Sequence, residues 1–211
     1  KNFGEHFVTV TGGEPLAQRA MAGDPGVAPF GEGREAGDEA IEPQPPAVAG
    51  STGLPLIIYN IPGRTGVNML PENVARIAAD LKNVVGLKDA AGNVEQTRQT
   101  IELAPKTFTV WSGDDNLTLP MMRVGAVGVI SVASHIAGNE IAQMVLRQDE
   151  AIHNRLMPLF KVLFIAPNPT PVKAALAMIG QPVGGLRLPL IEANDSEKGQ
   201  IRKVLKDLGL V

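Results

Sequence analysis

Tyr59, Arg64 and Lys88 are the side chains whose types and spacing point to chemistry. Lys88 lies near the end of the apolar run Val84-Val85-Gly86-Leu87-Lys88-Asp89-Ala90. A lysine held at such a place, desolvated, has a lowered pKa and becomes a nucleophile able to form a Schiff base with a ketone. Tyr59 ends a similar run, Leu54-Pro55-Leu56-Ile57-Ile58-Tyr59-Asn60, and a phenol there can carry protons to and from a carbinolamine. Arg64 follows in the turn Ile61-Pro62-Gly63-Arg64-Thr65-Gly66, with a planar fork suited to a substrate carboxylate. Each has a plainer alternative: a lysine whose head snorkels to water from a strand end, and an arginine solvated in a loop. Asp114 and Asp115 are the right types for an acid–base pair or metal ligands, but an Asp-Asp pair at a strand end more often caps a helix. His135 and His153 have no ligand partner at a useful spacing and read as structural or surface residues, so no metal site is expected.

The elements that must position these groups are regular from Ser51 onward. Short runs that are apolar on both faces read as parallel strands covered by helices, with chemistry collecting at their C-terminal ends. After the Tyr59 strand, Pro71 opens a helix with apolar Val74, Ile77, Ala78 and Leu81. The Lys88 strand follows, then a helix capped by Asn93 and stopped by Pro105. Phe108–Gly113 reads as a third strand, a short helix holds Leu117, Met121 and Met122, and Val127–Val132 reads as a fourth strand. Repeated β–α alternation predicts parallel strands with right-handed crossovers, an α/β fold. Residues 138–147, 149–164 and Val172–Ile179 read as helices, and Ser196 is the expected N-cap of the last one. In that helix Ile201, Val204, Leu205 and Leu208 share a face. Three regions are expected: 1–50, 51–135 with the strands, and a helical 136–211.

Composition narrows the function classes. The 211 residues carry a net charge of −3 and no Lys/Arg cluster, which argues against a nucleic-acid binder. Without cysteine there are neither disulfides nor thiolate metal sites. No apolar run approaches the roughly 20 residues of a membrane helix, and no signal peptide opens the chain, so the cytoplasm is the expected compartment. The chain starts at Lys1 instead of methionine, as a fragment would. Residues 1–50 are rich in Gly, Pro, Glu and Ala and lack a sustained period, with a short strand expected at Phe7–Val10 and a helical turn or two at Pro15–Met21.

Tyr59-Asn60-Ile61-Pro62-Gly63-Arg64-Thr65-Gly66, then Gly86-Leu87-Lys88-Asp89-Ala90 and Gly92-Asn93, closely resemble the 4-hydroxy-tetrahydrodipicolinate (dihydrodipicolinate) synthases. Ser112-Gly113-Asp114-Asp115, Gly128–Val132, Asn168–Lys173 and Arg187–Leu190 keep the same order, so the resemblance covers Ser51 to Val211. The wider family of class I pyruvate aldolases, N-acetylneuraminate lyase included, shares the fold and the lysine. Arg64 in its Pro-Gly-Arg-Thr-Gly setting looks more like the synthases.

The resemblance implies a (β/α)8 barrel with a C-terminal helical extension, of which these strands form the second half. It implies that Lys88 condenses with pyruvate and that the enamine attacks aspartate semialdehyde, giving the cyclic precursor of diaminopimelate and lysine. Tyr59 would relay protons, Arg64 would orient a carboxylate, and the main chain at Ile130 would contact bound pyruvate. No metal or organic cofactor is implied, and a homo-oligomer is. The family's first half, with a Gly-Thr-Thr-Gly-Glu motif and a second tyrosine from a neighbouring subunit, has no recognisable counterpart in residues 1–50. Thr11-Gly12-Gly13-Glu14 echoes that motif only faintly. The segment reads as a different domain, a truncation joined to unrelated sequence or a shifted reading frame, and its aperiodic composition favours the latter two. The chain alone is then expected to fold poorly, with the Leu54–Tyr59 strand lacking a neighbour, and to be weakly active. A sugar-acid aldolase and a non-catalytic degenerate subunit are the alternatives.

Overall fold

The computed structural model describes the backbone of Val8–Thr11 and residues 48–211. Four strands form one parallel sheet: β1 (Val8–Thr11), β2 (Leu56–Asn60), β3 (Val84–Asp89) and β4 (Thr109–Ser112), in that order. The expected strand at Phe7–Val10 is therefore present, shifted by one residue. It supplies the neighbour that the β2 strand was expected to lack: Val8 to Thr11 pair with Leu56 to Tyr59. The expected turns at Pro15–Met21 lie outside the described residues.

The chain divides into two compact units, the first running to Gly113 and including Pro120–Gly128, the second comprising Asp114–Leu119 and Val129–Val211. In the first, α1 (Pro62–Thr65) follows β2, α2 (Pro71–Asp80) crosses from β2 to β3, and α3 (Val94–Leu103) crosses from β3 to β4. Leu56, Ile58, Val84, Leu87 and Val110 of the strands form one core with Val74 and Ile77 of α2, with Ile101 and Phe108 packed against it. Removing these side chains from water, at about 25 cal/mol per Å², is the main force holding helices to sheet. Pro71 stands at the first helical position of α2, and the Asn93 side chain accepts the Glu95 and Gln96 N–H groups at the start of α3, as their positions in sequence predict. The strand expected at Val127–Val132 is much shorter. The Val127 N–H donates to the Val110 carbonyl and the Ser112 N–H to the Gly128 carbonyl, both at 2.9 Å, and no regular strand follows.

The second unit opens with a 3-10 turn, Asp115–Leu117, which leads into α4 (Thr118–Arg123). Its helices are α5 (Ser134–Arg147), α6 (Glu150–Val162), α7 (Thr170–Met178) and α8 (Asp195–Asp207). Met144, Leu156, Leu159, Leu163, Ala175, Ile201 and Leu205 are fully buried there. α8 begins two residues earlier than Ser196 as cap would require. Asn194 caps it, accepting the Glu197 N–H while the Glu197 carboxylate accepts the Asn194 N–H, a reciprocal box that Ser196 cannot form. No helix among the described residues is long and apolar enough to cross a membrane.

Gly86 is required by close approach. A Cβ at this position would lie 2.5 Å from both the Thr109 carbonyl oxygen and the Trp111 ring, whereas one at Gly63 would meet nothing within 4 Å. Gly86→Ala should therefore destabilise the fold by about 1–3 kcal/mol, read from urea midpoints. Gly63→Ala should leave the midpoint near that of the parent, and equal midpoints for both variants would contradict the packing described.

Candidate active site

The ends of β2 and β3 lie side by side through an irregularity in their ladder. Leu56 opposes Val84, but the next residue, Ile57, opposes Gly86, so Val85 is an extra residue in β3. Beyond this bulge Ile58 pairs with Leu87, Tyr59 with Lys88 and Asn60 with Asp89. Without the slip Tyr59 would face Leu87, since a one-residue shift changes which side chains share a face. The Lys88 Nζ sits 4.1 Å from the centroid of the Tyr59 ring, over its face, where the ring quadrupole attracts a cation. Both residues are half-buried. On its other side Lys88 pairs with Trp111 of β4. Tyr59 and Trp111 are the single tyrosine and single tryptophan of the chain.

Arg64 is carried by α1 in the turn after β2. Pro62 starts this turn, and Gly66, at φ 72°, ends it with its N–H bonded to the Pro62 carbonyl. The Thr65 hydroxyl braces it by hydrogen bonds to the Ile61 and Val67 carbonyls at 3.2 and 2.9 Å. The Arg64 side chain is exposed and has no ion-pair partner among the described residues. Ile130 lies in the second unit, half-buried ahead of α5.

Behind the Tyr59–Lys88 pair, on the opposite face of the strands, is a polar layer that the sequence reading missed. Asp89 is fully buried. Its carboxylate accepts the Thr97 hydroxyl at 2.7 Å and the Ala91 N–H at 3.1 Å. Burial pushes the Asp89 carboxyl above its ordinary 3.8, against the opposing effects of Thr97, the Ala91 N–H and the neighbouring Asn60 amide. Asn60, also buried, donates to the Asn68 side-chain oxygen at 2.9 Å and accepts the Met69 N–H at 3.1 Å. Asn68 in turn exchanges two bonds with Gln96, at 2.8 and 3.1 Å, and Gln96 also reaches the Met69 carbonyl. The signal was available. Asn60 and Asp89 directly follow Tyr59 and Lys88, and strand alternation turns them inward among apolar neighbours, where an amide or carboxylate must find partners.

The remaining candidates have other tasks. Asp115 does not cap its own 3-10 turn. It is buried, and its Oδ2 accepts the Ala133 N–H at 3.0 Å, serving the start of α5. Asp114 stands at the N-cap position of that turn without a side-chain cap bond. His135 is exposed and His153 packs in α6 against Phe160, with ring centroids 5.8 Å apart.

Comparison with known proteins follows the same residues. The model of the dihydrodipicolinate synthetase family matches residues 39–208. The 4-hydroxy-tetrahydrodipicolinate synthase of Heliobacterium modesticaldum is 49% identical over 78% of this chain and 57% of its own length. That of a Cyanothece strain is 48% identical over 74% and 55%. The chain thus spans little more than half the length of these curated relatives. Among solved structures, dihydrodipicolinate synthase from Thermotoga maritima superposes with a TM-score of 0.81 at 37% identity, covering 97% of this chain and 76% of its own. The enzyme from Cyanidioschyzon merolae with lysine bound gives 0.76 at 42% identity, covering 79% and 59%.

The buried carboxylate offers a test of the geometry that is independent of relationship. With its folded pKa raised, the native state holds the Asp89 proton more tightly than the unfolded chain does. Its contribution to stability is complete below pH 3.8 and is lost as pH rises through the higher folded value. Stability of Asp89→Asn relative to the parent should therefore increase with pH across that window and stay level outside it, as read from urea midpoints at several pH values. A difference that falls with pH would mean that the ionised form is the favoured one.

Proposed function

Because the chain belongs to the dihydrodipicolinate synthetase family, we propose that it carries the pyruvate-binding half of a Schiff-base aldolase that condenses pyruvate with aspartate semialdehyde. In this reading β2, β3 and β4 with their helices belong to the second half of a (β/α)8 barrel, and the helices after them are the C-terminal extension. The observation that carries the proposal is the opposition of Tyr59 and Lys88 at the C-terminal ends of adjacent parallel strands, amine over ring at 4.1 Å. Active sites of barrels and open parallel sheets gather at that end.

The chemistry then runs as follows. The unprotonated Lys88 amine adds to the pyruvate ketone to give a carbinolamine, and loss of water leaves an imine. Loss of a methyl proton from the imine gives an enamine, whose carbon attacks the aldehyde and forms the new C–C bond. The amine of the semialdehyde displaces Lys88, closing the ring and freeing the enzyme. The Tyr59 hydroxyl carries protons for carbinolamine breakdown, and the exposed Arg64 guanidinium, with no ion-pair partner among the described residues, orients a substrate carboxylate. The main chain at Ile130 takes the pyruvate contact that the resemblance assigns to it. The imine is itself the electron sink, so the scheme calls for no metal or organic cofactor. Pro62-Gly63-Arg64-Thr65-Gly66 supports this substrate pair over a sugar acid.

Activity of the chain by itself is a separate matter. Barrel closure requires eight strands of matched tilt and stagger, and the described residues form a sheet of four. We therefore propose weak turnover for the chain alone and assembly with further copies in the active form.

Borohydride added after pyruvate should raise the mass by one reduced pyruvate adduct on the peptide holding Lys88. Lys88→Ala should abolish the adduct and Lys82→Ala should not, while Tyr59→Phe should slow turnover about 10²-fold with trapping still detectable. Adduct on Lys82, or even labelling of many lysines, would sink the assignment.

A further inference from the structure

The polar layer behind the site converges on one turn of one helix. Gln96 holds the β2 end, through Asn68 and the Met69 carbonyl, which in turn bind Asn60. Thr97, the next residue, holds the β3 end through Asp89 at 2.7 Å. Asn60 and Asp89 are the residues after Tyr59 and Lys88, and they are partners in the same ladder. The turn is itself fixed: Asn93 caps it, accepting the Gln96 N–H at 3.1 Å, and the Thr97 N–H donates to the Asn93 carbonyl at the same distance. The second Asp89 oxygen ties down Ala91, where the chain leaves the strand. Both strand ends are thus anchored to adjacent residues of α3, while their other faces present the phenol and the amine.

We propose that the first turn of α3, through Gln96 and Thr97 acting on Asn60 and Asp89, is the positioning device that sets Tyr59 over Lys88. These four are positioning residues; none touches the reacting atoms. The inference rests on the reading that Tyr59 and Lys88 work as a pair. Shared anchoring to one rigid turn suits chemistry in which a misplacement of about 1 Å can cost 10²-fold in rate. A buried carboxylate placed among apolar neighbours is costly to keep, and fixing the strand end is what it accomplishes here.

Lys88→Gln should abolish the borohydride-trapped pyruvate adduct, and if it does not, the functional reading fails before the positioning proposal is reached. Given that loss, Asp89→Ala and Thr97→Val should each slow imine formation at saturating pyruvate about tenfold with little change in half-saturating pyruvate. Asp89→Asn keeps an acceptor for the Ala91 N–H and a polar partner for Thr97, so it should trap at close to the parent rate. Gln99→Ala, on the exposed side of the same helix, should be indistinguishable from the parent. Asp89→Ala and Thr97→Val proteins that unfold cooperatively but form the imine at the parent rate would overturn the proposal, as would an equal slowing in Gln99→Ala. Should Asp89→Ala prove insoluble, Thr97→Val decides alone, since it replaces a hydroxyl by a methyl at nearly constant volume.

Discussion

Everything at the candidate site depends on one extra residue in a parallel ladder. Val85 bulges out of β3, and only beyond it do Tyr59 and Lys88 stand opposite one another. Parallel neighbours share a face when they are in register, so a slip of one residue changes the partner of every side chain that follows. The bulge therefore places two residues of each strand at once: phenol and amine on one face, amide and carboxylate on the other. Gly86, immediately after it, leaves room for the Trp111 ring and the Thr109 carbonyl, so bulge and glycine together shape the strand between its two neighbours.

The division of faces also divides tasks. The face bearing Leu56, Ile58, Leu87 and Val110 is apolar until the last residue of each strand, where Asn60, Asp89 and Ser112 are buried polar groups. Apolar packing holds helix to sheet without direction, since dispersion and the hydrophobic effect tolerate sliding. Hydrogen bonds do not tolerate it, because they weaken steeply with distance and angle. The change from one kind of contact to the other occurs at the strand ends, where placement matters to chemistry.

The elements were legible in the sequence because their signals are local. Pro71, Asn93 and Pro105 bound helices by rules that concern only neighbouring backbone, and the apolar runs announce β2, β3 and β4. Tyr59 and Lys88 stood out because reactive side chains at the ends of apolar runs are few. The bulge at Val85 was not legible, since nothing in Val84-Val85-Gly86 says which of two valines is surplus until β2 is laid beside it. Nor was the pairing of β1 with β2, which joins residues far apart in the chain. Asp115 misled for the same reason: its partner, Ala133, is distant in sequence, and a cap rule looks only a few residues ahead.

The order of the sheet bears on how the site comes into being. β2, β3 and β4 lie side by side in the order in which they occur in the chain, so each pairing closes a single helical crossover. Loop-closure entropy grows only with the logarithm of the intervening length, so each of these pairings costs little more to close than a shorter crossover would. Tyr59 meets Lys88 within the β2–α2–β3 unit, and the α3 turn that anchors both strand ends follows directly in the chain. The pair is thus local in sequence, needing no strand from the far end of the polypeptide.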